Sequence, residues 1–277
     1  MKKFAVIGQP IKHSLSPWIH SEFAKEAGIK ISYEALEVGK KEFGSKARAL
    51  LENGYEGLNV TLPLKELAFN FADLVSEKGR QTEAVNTLWK QKGKVCADST
   101  DGIGLLKDLE VNNLFVENTN LIILGAGGAA RSIIPSLLEL KPKRLFILNR
   151  TKSKSSDLAK KYGSHTVKIH CGISSTTEDI LSENPCIVIN TTSFGTHNEE
   201  LHIPDFNTDV LSKAIWSYDL SYSNEVTPFN KLAQGLGCPL SLDGLGMLVN
   251  QAAASFEIWT GIEPETQKVN NLIKNNL

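Results

Sequence analysis

The stretch Leu121–Ala130 constrains the fold of this chain more than any other. Leu121 to Leu124 is a short continuous apolar run, typical of a strand buried on both faces. It runs into Gly125-Ala126-Gly127-Gly128-Ala129-Ala130, which matches G-x-G-x-x-(G/A), and then into an amphipathic helix over about 129–140. Gly125 allows a tight turn, Gly127 lets the backbone approach a pyrophosphate, and the small Ala130 lets helix and strand pack closely. The sequence therefore predicts a doubly wound α/β unit that binds a dinucleotide at a helix N-terminus.

The segment after the next strand indicates which dinucleotide is bound. A strand over 144–148 runs into Asn149-Arg150-Thr151-Lys152, where such a fold presents the side chain that contacts the adenosine ribose. An NAD site usually has an acidic residue at the position of Asn149. A carboxylate would repel a 2′-phosphate, whereas Arg150, with Lys154 nearby, can bind one through charge-assisted hydrogen bonds. The sequence therefore predicts NADP(H), against the alternative of a solvated basic loop after a glycine-rich turn.

Composition excludes several classes of function. The 277 residues include 30 basic and 31 acidic side chains, so no bulk charge points to nucleic acid or to an acidic membrane surface. No apolar run is long enough to span a membrane, and Phe4–Gly8 is too short for a signal peptide. The six histidines form no H-E-x-x-H or similar spacing, so we expect no metal site. The four cysteines form no C-x-x-C pair, which predicts reduced thiols in a cytoplasmic protein.

Two serines precede the first predicted helix. Ser16 suits the N-cap of a helix and Pro17 its first turn, so we expect a helix over 17–27. Ser14 and Ser16 also offer hydroxyl groups to a ligand. Taken alone, a serine in the position of Ser16 is more commonly a plain helix cap.

The most suggestive stretch of the first half is Asn59-Val60-Thr61-Leu62-Pro63-Leu64-Lys65. It predicts a strand that ends in an amide and a hydroxyl, followed by a helix over 64–75 whose first turn carries Lys65. The helix dipole disfavours a cation there, so Lys65 is suited to proton transfer near neutral pH. From position alone, an ordinary surface lysine is the more common interpretation. Asp101, at the start of a helix that reaches residue 109, is likewise most often a helix cap.

The remaining pattern predicts further alternation of strands and helices. We expect strands at 4–8, 31–38, 57–60, 88–90, 95–97, 186–189 and 214–220 and near Val167, and helices at 41–51, 153–162, 178–181, 228–236 and 248–259. The strand over 186–189 runs into Asn190-Thr191-Thr192-Ser193-Phe194-Gly195. Open α/β sheets bind ligands at the carboxyl ends of their strands, so this change from apolar to polar residues marks a candidate binding position.

Eight motifs, in order and over nearly the whole chain, resemble the shikimate dehydrogenase family. Its members use NADPH to reduce 3-dehydroshikimate to shikimate on the route to chorismate and the aromatic amino acids. The motifs are His13–Pro17, Asn59–Lys65, Ala84–Thr87, Thr100–Gly102, Gly125–Arg131, Asn149–Thr151, Asn190–Gly195 and Gly246–Ala253.

The resemblance implies roles for individual residues. Lys65 is implied as the catalytic acid or base, with Asp101 as its partner. The hydroxyls and carboxylate of shikimate would be held by Ser14, Ser16, Asn59, Thr61, Lys65, Asn86, Asp101, Tyr222 and Gln251. NADP(H) would be held by Gly125, Ala126, Gly127, Gly128, Ala129, Asn149, Arg150, Thr151, Lys154 and Leu220, by Thr192, Gly244 and Met247 near the nicotinamide, and by the weaker match Glu77.

The implied fold is α/β with two domains. An N-terminal α/β substrate-binding domain, residues 1–101, is completed by C-terminal helices in 245–277, and a Rossmann-type NADP-binding domain covers 102–244, with the active site in the cleft. Two residues depart from the family pattern. Ser99 stands where Asn usually precedes Thr-Asp-Gly, and Thr191 stands where Ala is usual.

Three other functions fit parts of this pattern. A quinate/shikimate dehydrogenase of broader specificity is disfavoured by Asn149-Arg150-Thr151, and a methylenetetrahydrofolate dehydrogenase by the His13–Pro17 loop. A non-catalytic sensor of shikimate or quinate is disfavoured by the presence of both Lys65 and Asp101. The expected partners are the small-molecule substrate and NADP(H), with no nucleic acid and no membrane. The sequence does not decide between a monomer and a homodimer.

Overall fold

The computed structural model describes residues 1–163, 168–171, 185–194 and 206–276. The chain forms two compact units, one of residues 1–107 with 247–277 and one of residues 108–246. The observed boundaries lie a few residues after the expected 101 and 244. The predicted fold class is confirmed, since a mixed α/β unit is completed by C-terminal helices and the other unit is Rossmann-like.

The first unit is built on a mixed six-stranded sheet. Its strands are β1 (Lys2–Gly8), β2 (Ile31–Glu37), β3 (Tyr55–Val60), β4 (Leu74–Val75), β5 (Thr87–Gln91) and β6 (Lys94–Asp98). They lie in the order β2-β1-β3-β5-β6-β4, and β5 is antiparallel to both of its neighbours. The helices of this part of the chain are α1 (Ser16–Glu26), α2 (Phe43–Glu52), α3 (Lys65–Phe71), α4 (Glu77–Thr82) and α5 (Asp101–Val111).

The second unit has a parallel six-stranded sheet. Its strands are β7 (Asn120–Leu124), β8 (Arg144–Leu148), β9 (Lys168–Cys171), β10 (Cys186–Asn190), β11 (Ala214–Asp219) and β12 (Ser241–Leu242). Its helices are α6 (Gly128–Glu139), α7 (Lys152–Tyr162), the short 3-10 helix Thr208–Lys213 and α8 (Pro228–Gly235). The strand order β12-β11-β10-β7-β8-β9 reverses direction between β7 and β10, which is where such sheets bind dinucleotides.

The chain returns to the first unit through α9 (Leu245–Thr260) and α10 (Thr266–Asn276). The Trp259 ring stacks on Phe4 with 4.8 Å between ring centroids, and its Nε1 donates to the Leu88 carbonyl over 3.2 Å. A Cβ at Gly57 would lie 2.3 Å from the Trp259 ring, so only glycine fits there. These contacts anchor α9 on the first sheet and fix the polar side chains that it carries.

Several local predictions were wrong in detail. The helix expected over 64–75 ends at Phe71, because Ala72 is extended and Leu74–Val75 pair in parallel with β6. Ser16 is the first helical residue and not the N-cap, because the chain is already helical at Leu15. The short α4 and β12 and the terminal α10 were not expected. Val167 and the helix expected over 178–181 lie outside the described residues.

Three buried cysteines in the described part of the chain, Cys96, Cys186 and Cys238, are free thiols. Across the described ranges, no group of three His, Cys, Asp or Glu side chains could hold a metal ion. Within the same ranges, no helix has the length and apolar character needed to cross a membrane.

Candidate active site

Lys65 and Asp101 form a short ion pair in the first unit. Lys65 is the first residue of α3 and Asp101 the first of α5, and Lys65 Nζ donates to Asp101 Oδ2 over 2.6 Å. The two side chains are only 13% and 6% exposed. Lys65 is therefore not an ordinary surface lysine, and Asp101 fixes the position of its ammonium group where little water screens the interaction.

Asn86 connects this pair to two further polar groups. Its Nδ2 lies 3.1 Å from Asp101 Oδ1, 3.0 Å from Gln251 Oε1 and 2.8 Å from Thr100 Oγ1. Its Oδ1 accepts from the Thr100 backbone amide over 2.8 Å, which sets the orientation of the side-chain amide. An amide nitrogen carries two hydrogens, so the three acceptors share two donors. A ligand oxygen can therefore replace one of these acceptors without leaving the Asn86 amide unpaired.

Asn59 is buried at the end of β3 and bonded on both sides. Its Nδ2 donates to the Asn86 carbonyl over 3.1 Å and to Ser255 Oγ over 3.0 Å, and its Oδ1 accepts from the Tyr33 hydroxyl over 2.7 Å. Burial raises the pKa of Tyr33 well above its ordinary value, so this hydroxyl stays a donor. Asn59 thus ties β3 to α9, and direct contact between Asn59 and a ligand stays a prediction.

His20 supports Tyr33 from the other side. The two rings stack with centroids 4.3 Å apart, and His20 is completely buried. Burial lowers the pKa of His20 to about 3, so the imidazole is neutral at pH 7. Sequence reasoning missed His20, Tyr33 and Ser255. Ser255 lies one turn after Gln251 on α9, but nothing in the sequence pairs any of the three with Asn59.

The other expected substrate residues of the first unit lie at element ends. Ser14 and Ser16 stand at the start of α1, where Ser14 Oγ accepts from the Ser16 amide over 3.3 Å. Ser14 therefore satisfies the first N–H group of α1, and Pro17 has none, so the groups that this end of the helix offers an anion are chiefly the two serine hydroxyls. Thr61 follows β3 directly, and its amide donates to the Ile7 carbonyl over 2.9 Å.

The glycine turn of the second unit has the geometry that the sequence predicts. Gly125 has φ +107°, and a Cβ there would lie 2.5 Å from Thr191 Oγ1, so both conformation and space require glycine. A Cβ at Gly127 would meet nothing within 4 Å, which leaves room for a ligand against the backbone. α6 begins at Gly128 with no side-chain cap. Its free N–H groups and dipole therefore suit a pyrophosphate.

The residues after β8 suit a second anion. Asn149 is half-buried, and its Nδ2 donates to the Thr151 carbonyl over 2.8 Å. Arg150, Thr151 and Lys154 are exposed, and α7 starts directly after Thr151 without a side-chain cap. Two cations and a helix N-terminus therefore favour a phosphate at this position.

The remaining expected cofactor residues divide between the units. In the second unit, Leu220 N donates to the Asn190 carbonyl and Gly244 N to the Ser221 carbonyl, each over 2.9 Å. A Cβ at Gly244 would lie 2.2 Å from the Leu220 carbonyl oxygen, so no larger residue fits. Thr192 and Tyr222 are half-buried in this unit, whereas Glu77 and Met247 belong to the first unit. Gly195, the last residue of the Asn190 motif, lies outside the described residues.

Three family models cover most of the chain. Residues 6–88 match the substrate-binding domain of shikimate dehydrogenase, residues 110–226 match shikimate/quinate 5-dehydrogenase, and residues 244–274 match the C-terminal domain of shikimate 5′-dehydrogenase. Shikimate dehydrogenase (NADP(+)) of Chromobacterium violaceum is 42% identical over 276 residues, which cover 98% of this chain and 97% of that protein. The chain belongs to the shikimate dehydrogenase family. The predicted resemblance is thereby confirmed.

Solved structures agree with the assignment to the shikimate dehydrogenase family. The structure of an Ael1 enzyme from Pseudomonas putida has a TM-score of 0.85 and 36% identity, with 98% of both chains covered. Shikimate 5-dehydrogenase from Thermus thermophilus, solved in complex with NADP(H) and shikimate, has a TM-score of 0.84 and 28% identity, with both chains fully covered.

The two departures from the shikimate dehydrogenase pattern differ in how the fold accommodates them. Thr191 Oγ1 donates to the Leu124 carbonyl over 2.8 Å, beside the bond of the same length from the Thr191 amide. The larger side chain fits because Gly125 has no Cβ to meet it. Ser99 is buried and its amide donates to Asp98 Oδ1 over 2.7 Å, but its hydroxyl has no hydrogen-bond partner among the described residues.

Proposed function

We propose that this chain catalyses the reversible NADPH-dependent reduction of 3-dehydroshikimate to shikimate, a step toward chorismate and the aromatic amino acids. The observation that carries the proposal is the buried Lys65–Asp101 pair, joined through Asn86 to Gln251. Family membership supplies the substrate class, since curated relatives across nearly the full length are NADP-dependent shikimate dehydrogenases.

Lys65 is the proton-transfer residue of the proposed reaction. Reduction of a ketone needs a proton at the carbonyl oxygen as the hydride arrives at carbon, and bound NADPH supplies that hydride. Lys65 Nζ gives the proton to the C3 oxygen and takes it back in the oxidative direction. Asp101 Oδ2 holds Nζ in place, and Asp101 also accepts a hydrogen bond from the neighbouring substrate hydroxyl. Lys65 and Asp101 are therefore the catalytic residues of the proposal.

Several short polar side chains recognise the rest of the substrate. The hydroxyls of Ser14 and Ser16, at the start of α1, suit the substrate carboxylate, because the positive end of the helix dipole favours anions. The hydroxyl groups are bound by hydroxyl and amide side chains, namely Asn59, Thr61, Asn86, Tyr222 and Gln251. Recognition by many paired polar groups makes analogues that leave one of them unpaired poor substrates.

NADP(H) is held by two anion sites of the second unit. The glycine turn and the start of α6 bind the pyrophosphate, supported by the open space at Gly127. Arg150, with Asn149, Thr151 and Lys154, binds the 2′-phosphate, supported by exposed cations at the start of α7. Thr192, Leu220, Gly244 and Met247 contact the nicotinamide half, and Glu77 is the weakest member of the set.

Initial rates of NADP⁺ and NAD⁺ reduction with shikimate, quinate and no substrate test the proposal. We expect turnover with shikimate and NADP⁺, and much lower kcat/KM with quinate or NAD⁺. Comparable kcat/KM values for shikimate and quinate would assign the chain to the quinate/shikimate dehydrogenases of broader specificity. The family model that matches residues 110–226 names both substrates. Binding of shikimate without turnover would identify a sensor instead.

The cellular setting completes the proposal. Cytoplasmic location is supported by the buried free thiols Cys96, Cys186 and Cys238, which are typical of a reducing compartment. A homodimer is the protein partner that the sequence leaves open. Sedimentation velocity of the purified enzyme distinguishes a monomer from a dimer, and cell fractionation tests the location.

A further inference from the structure

A buried carboxylate links the carboxyl ends of two neighbouring strands in the second unit. Asp219, the last residue of β11, is fully buried and pairs in register with Asn190, the last residue of β10. Asp219 Oδ1 accepts from Asn190 Nδ2 over 3.0 Å and from the Ser221 amide over 3.1 Å. One oxygen therefore holds a side chain of β10 and the first turn of the loop that leads to Tyr222.

The bond to Asp219 determines which way the Asn190 amide faces. Because Asp219 takes the NH₂ group, Asn190 Oδ1 points to the following residues, where it accepts from Thr192 N over 3.1 Å and from Thr192 Oγ1 over 2.6 Å. Thr192 Oγ1 in turn accepts from the Phe194 amide over 3.2 Å. A continuous chain of hydrogen bonds thus runs from Asp219 through Asn190 to Thr192.

The same strand ends carry the other residues proposed for the nicotinamide half. Leu220 N bonds to the Asn190 carbonyl and Gly244 N to the Ser221 carbonyl. Gly244 packs so closely on Leu220 that no side chain fits between them. Thr192 and Leu220 are therefore hydrogen-bonded to Asn190. Gly244 is hydrogen-bonded to Ser221, whose amide is bonded to Asp219.

The charge of Asp219 is costly in this position. Burial raises the pKa of Asp219 to about 6, and the nearby Asp243 adds to the rise, while the hydrogen bonds from Ser221 and Asn190 oppose it. Both of these bonds reach Oδ1, whereas Oδ2 is buried without a hydrogen-bond partner among the described residues. A half-satisfied buried carboxylate destabilises the fold, which favours a role for Asp219 other than stability.

We propose that Asp219 is a positioning residue that, through Asn190 and Ser221, holds Thr192 and the loop leading to Tyr222 in place for the nicotinamide half of NADP(H). The inference rests on the proposed function. Asp219 does not touch the reacting atoms in this account. It acts by fixing the groups that orient the ring, and small errors in such orientation slow transfer by up to about a hundred-fold.

The test compares Asp219→Ala and Asp219→Asn with the control Ser217→Ala. Ser217 lies on the same strand and is also fully buried, and its Oγ bonds to Ser241 Oγ over 2.8 Å, away from the Asn190 network. Single-turnover hydride transfer and binding of 2′,5′-ADP, which occupies only the adenosine half of the site, are measured for each folded variant. Folding is checked by circular dichroism and thermal melting.

Asp219→Ala is expected to slow hydride transfer about ten- to a hundred-fold while the Kd of 2′,5′-ADP stays within about two-fold. Asp219→Asn is expected to keep most of the rate, because its carbonyl oxygen can accept both bonds of Oδ1. Ser217→Ala is expected to transfer hydride at the wild-type rate. A merely structural role would slow Asp219→Ala and Ser217→Ala alike, or weaken 2′,5′-ADP together with the rate.

Equal rates in wild type and Asp219→Ala would overturn the inference. If Asp219→Ala does not fold, Asn190→Ala interrupts the same series of hydrogen bonds one residue closer to Thr192. A wild-type rate of hydride transfer in Asn190→Ala would equally overturn the inference. Failure of the proposed function is distinguishable, because it appears as absence of shikimate turnover in the wild-type enzyme itself.

Discussion

The proposed substrate residues and the proposed phosphate-binding residues are assembled in opposite ways. In the first unit, side chains far apart in sequence bond to one another, as in Asn86 with Gln251 and Asn59 with Ser255. In the second unit, the pyrophosphate site consists of backbone N–H groups from one contiguous turn, Gly125–Ala129. A backbone site depends on a local motif, whereas a side-chain site depends on the tertiary structure. The two sites should therefore respond differently to single substitutions.

The largest effect is expected at Lys65. Lys65→Ala should lower kcat about 10²- to 10⁴-fold, the usual contribution of general acid–base catalysis. Lys65→Arg should not restore activity, because a guanidinium holds its proton too tightly at neutral pH. Steady-state rates with saturating shikimate and NADP⁺ measure both variants. A Lys65→Arg enzyme with near-wild-type kcat would show that Lys65 contributes charge alone.

Asp101→Asn should have the next largest effect and, unlike Lys65→Ala, should act on two quantities. It removes the negative charge that holds Lys65 Nζ 2.6 Å from Asp101 Oδ2, and it changes the group that accepts from Asn86 Nδ2. We expect kcat to fall and shikimate to bind more weakly, because Asp101 both positions Lys65 and contacts the substrate. Comparison of kcat with the Kd of shikimate checks this, and a change in only one of them would assign Asp101 a single role.

On the nucleotide side, Arg150→Ala should weaken NADPH about ten- to a hundred-fold, the contribution of a lost charge-assisted hydrogen bond. Binding of NADH should change little, since NADH has no 2′-phosphate. Fluorescence titration with both cofactors gives the ratio, and Lys231→Ala, on an exposed lysine of α8, is a matched control for loss of surface charge. An equal loss for NADH and NADPH would contradict the role of Arg150.

The smallest effect is expected on stability, at Asp219. The folded state raises the pKa of Asp219 from 3.8 to about 6, so it binds more protons than the unfolded state between these values and loses stability as pH rises through them. A rise of this size corresponds to about 3 kcal/mol. Asp219→Asn should recover about 1 kcal/mol of it, because the new NH₂ group must itself find a partner.

Denaturant unfolding across a pH series tests this stability prediction. Asp219→Asn should be more stable than wild type at pH 8, and the difference should disappear below about pH 4, where the wild-type carboxyl is protonated in both states. A variant that is less stable than wild type at pH 8 would show that the charged hydrogen bonds outweigh the cost of burial.

The same contrast explains how much could be predicted from the sequence. The strand, turn and helix around Gly125 follow from local pattern, and so does the basic segment at Arg150. Lys65 and Asp101 were visible only as residues at two helix starts, 36 positions apart, and their pairing needed the family resemblance. His20, Tyr33 and Ser255 were missed, because a buried polar side chain inside an apolar pattern has no sequence signal of its partner. The end of α3 was missed because pairing of Leu74–Val75 with β6 overrides helix propensity.

Two measurements on Lys65→Ala together decide whether Lys65 moves the proton or only binds the substrate. Calorimetry gives the Kd of shikimate, and rapid-mixing single turnover gives the rate of hydride transfer from bound substrate. We expect a Kd within a few-fold of wild type and a transfer rate lower by about 10²- to 10⁴-fold. A variant that binds shikimate poorly but turns over bound substrate at the wild-type rate would contradict this expectation.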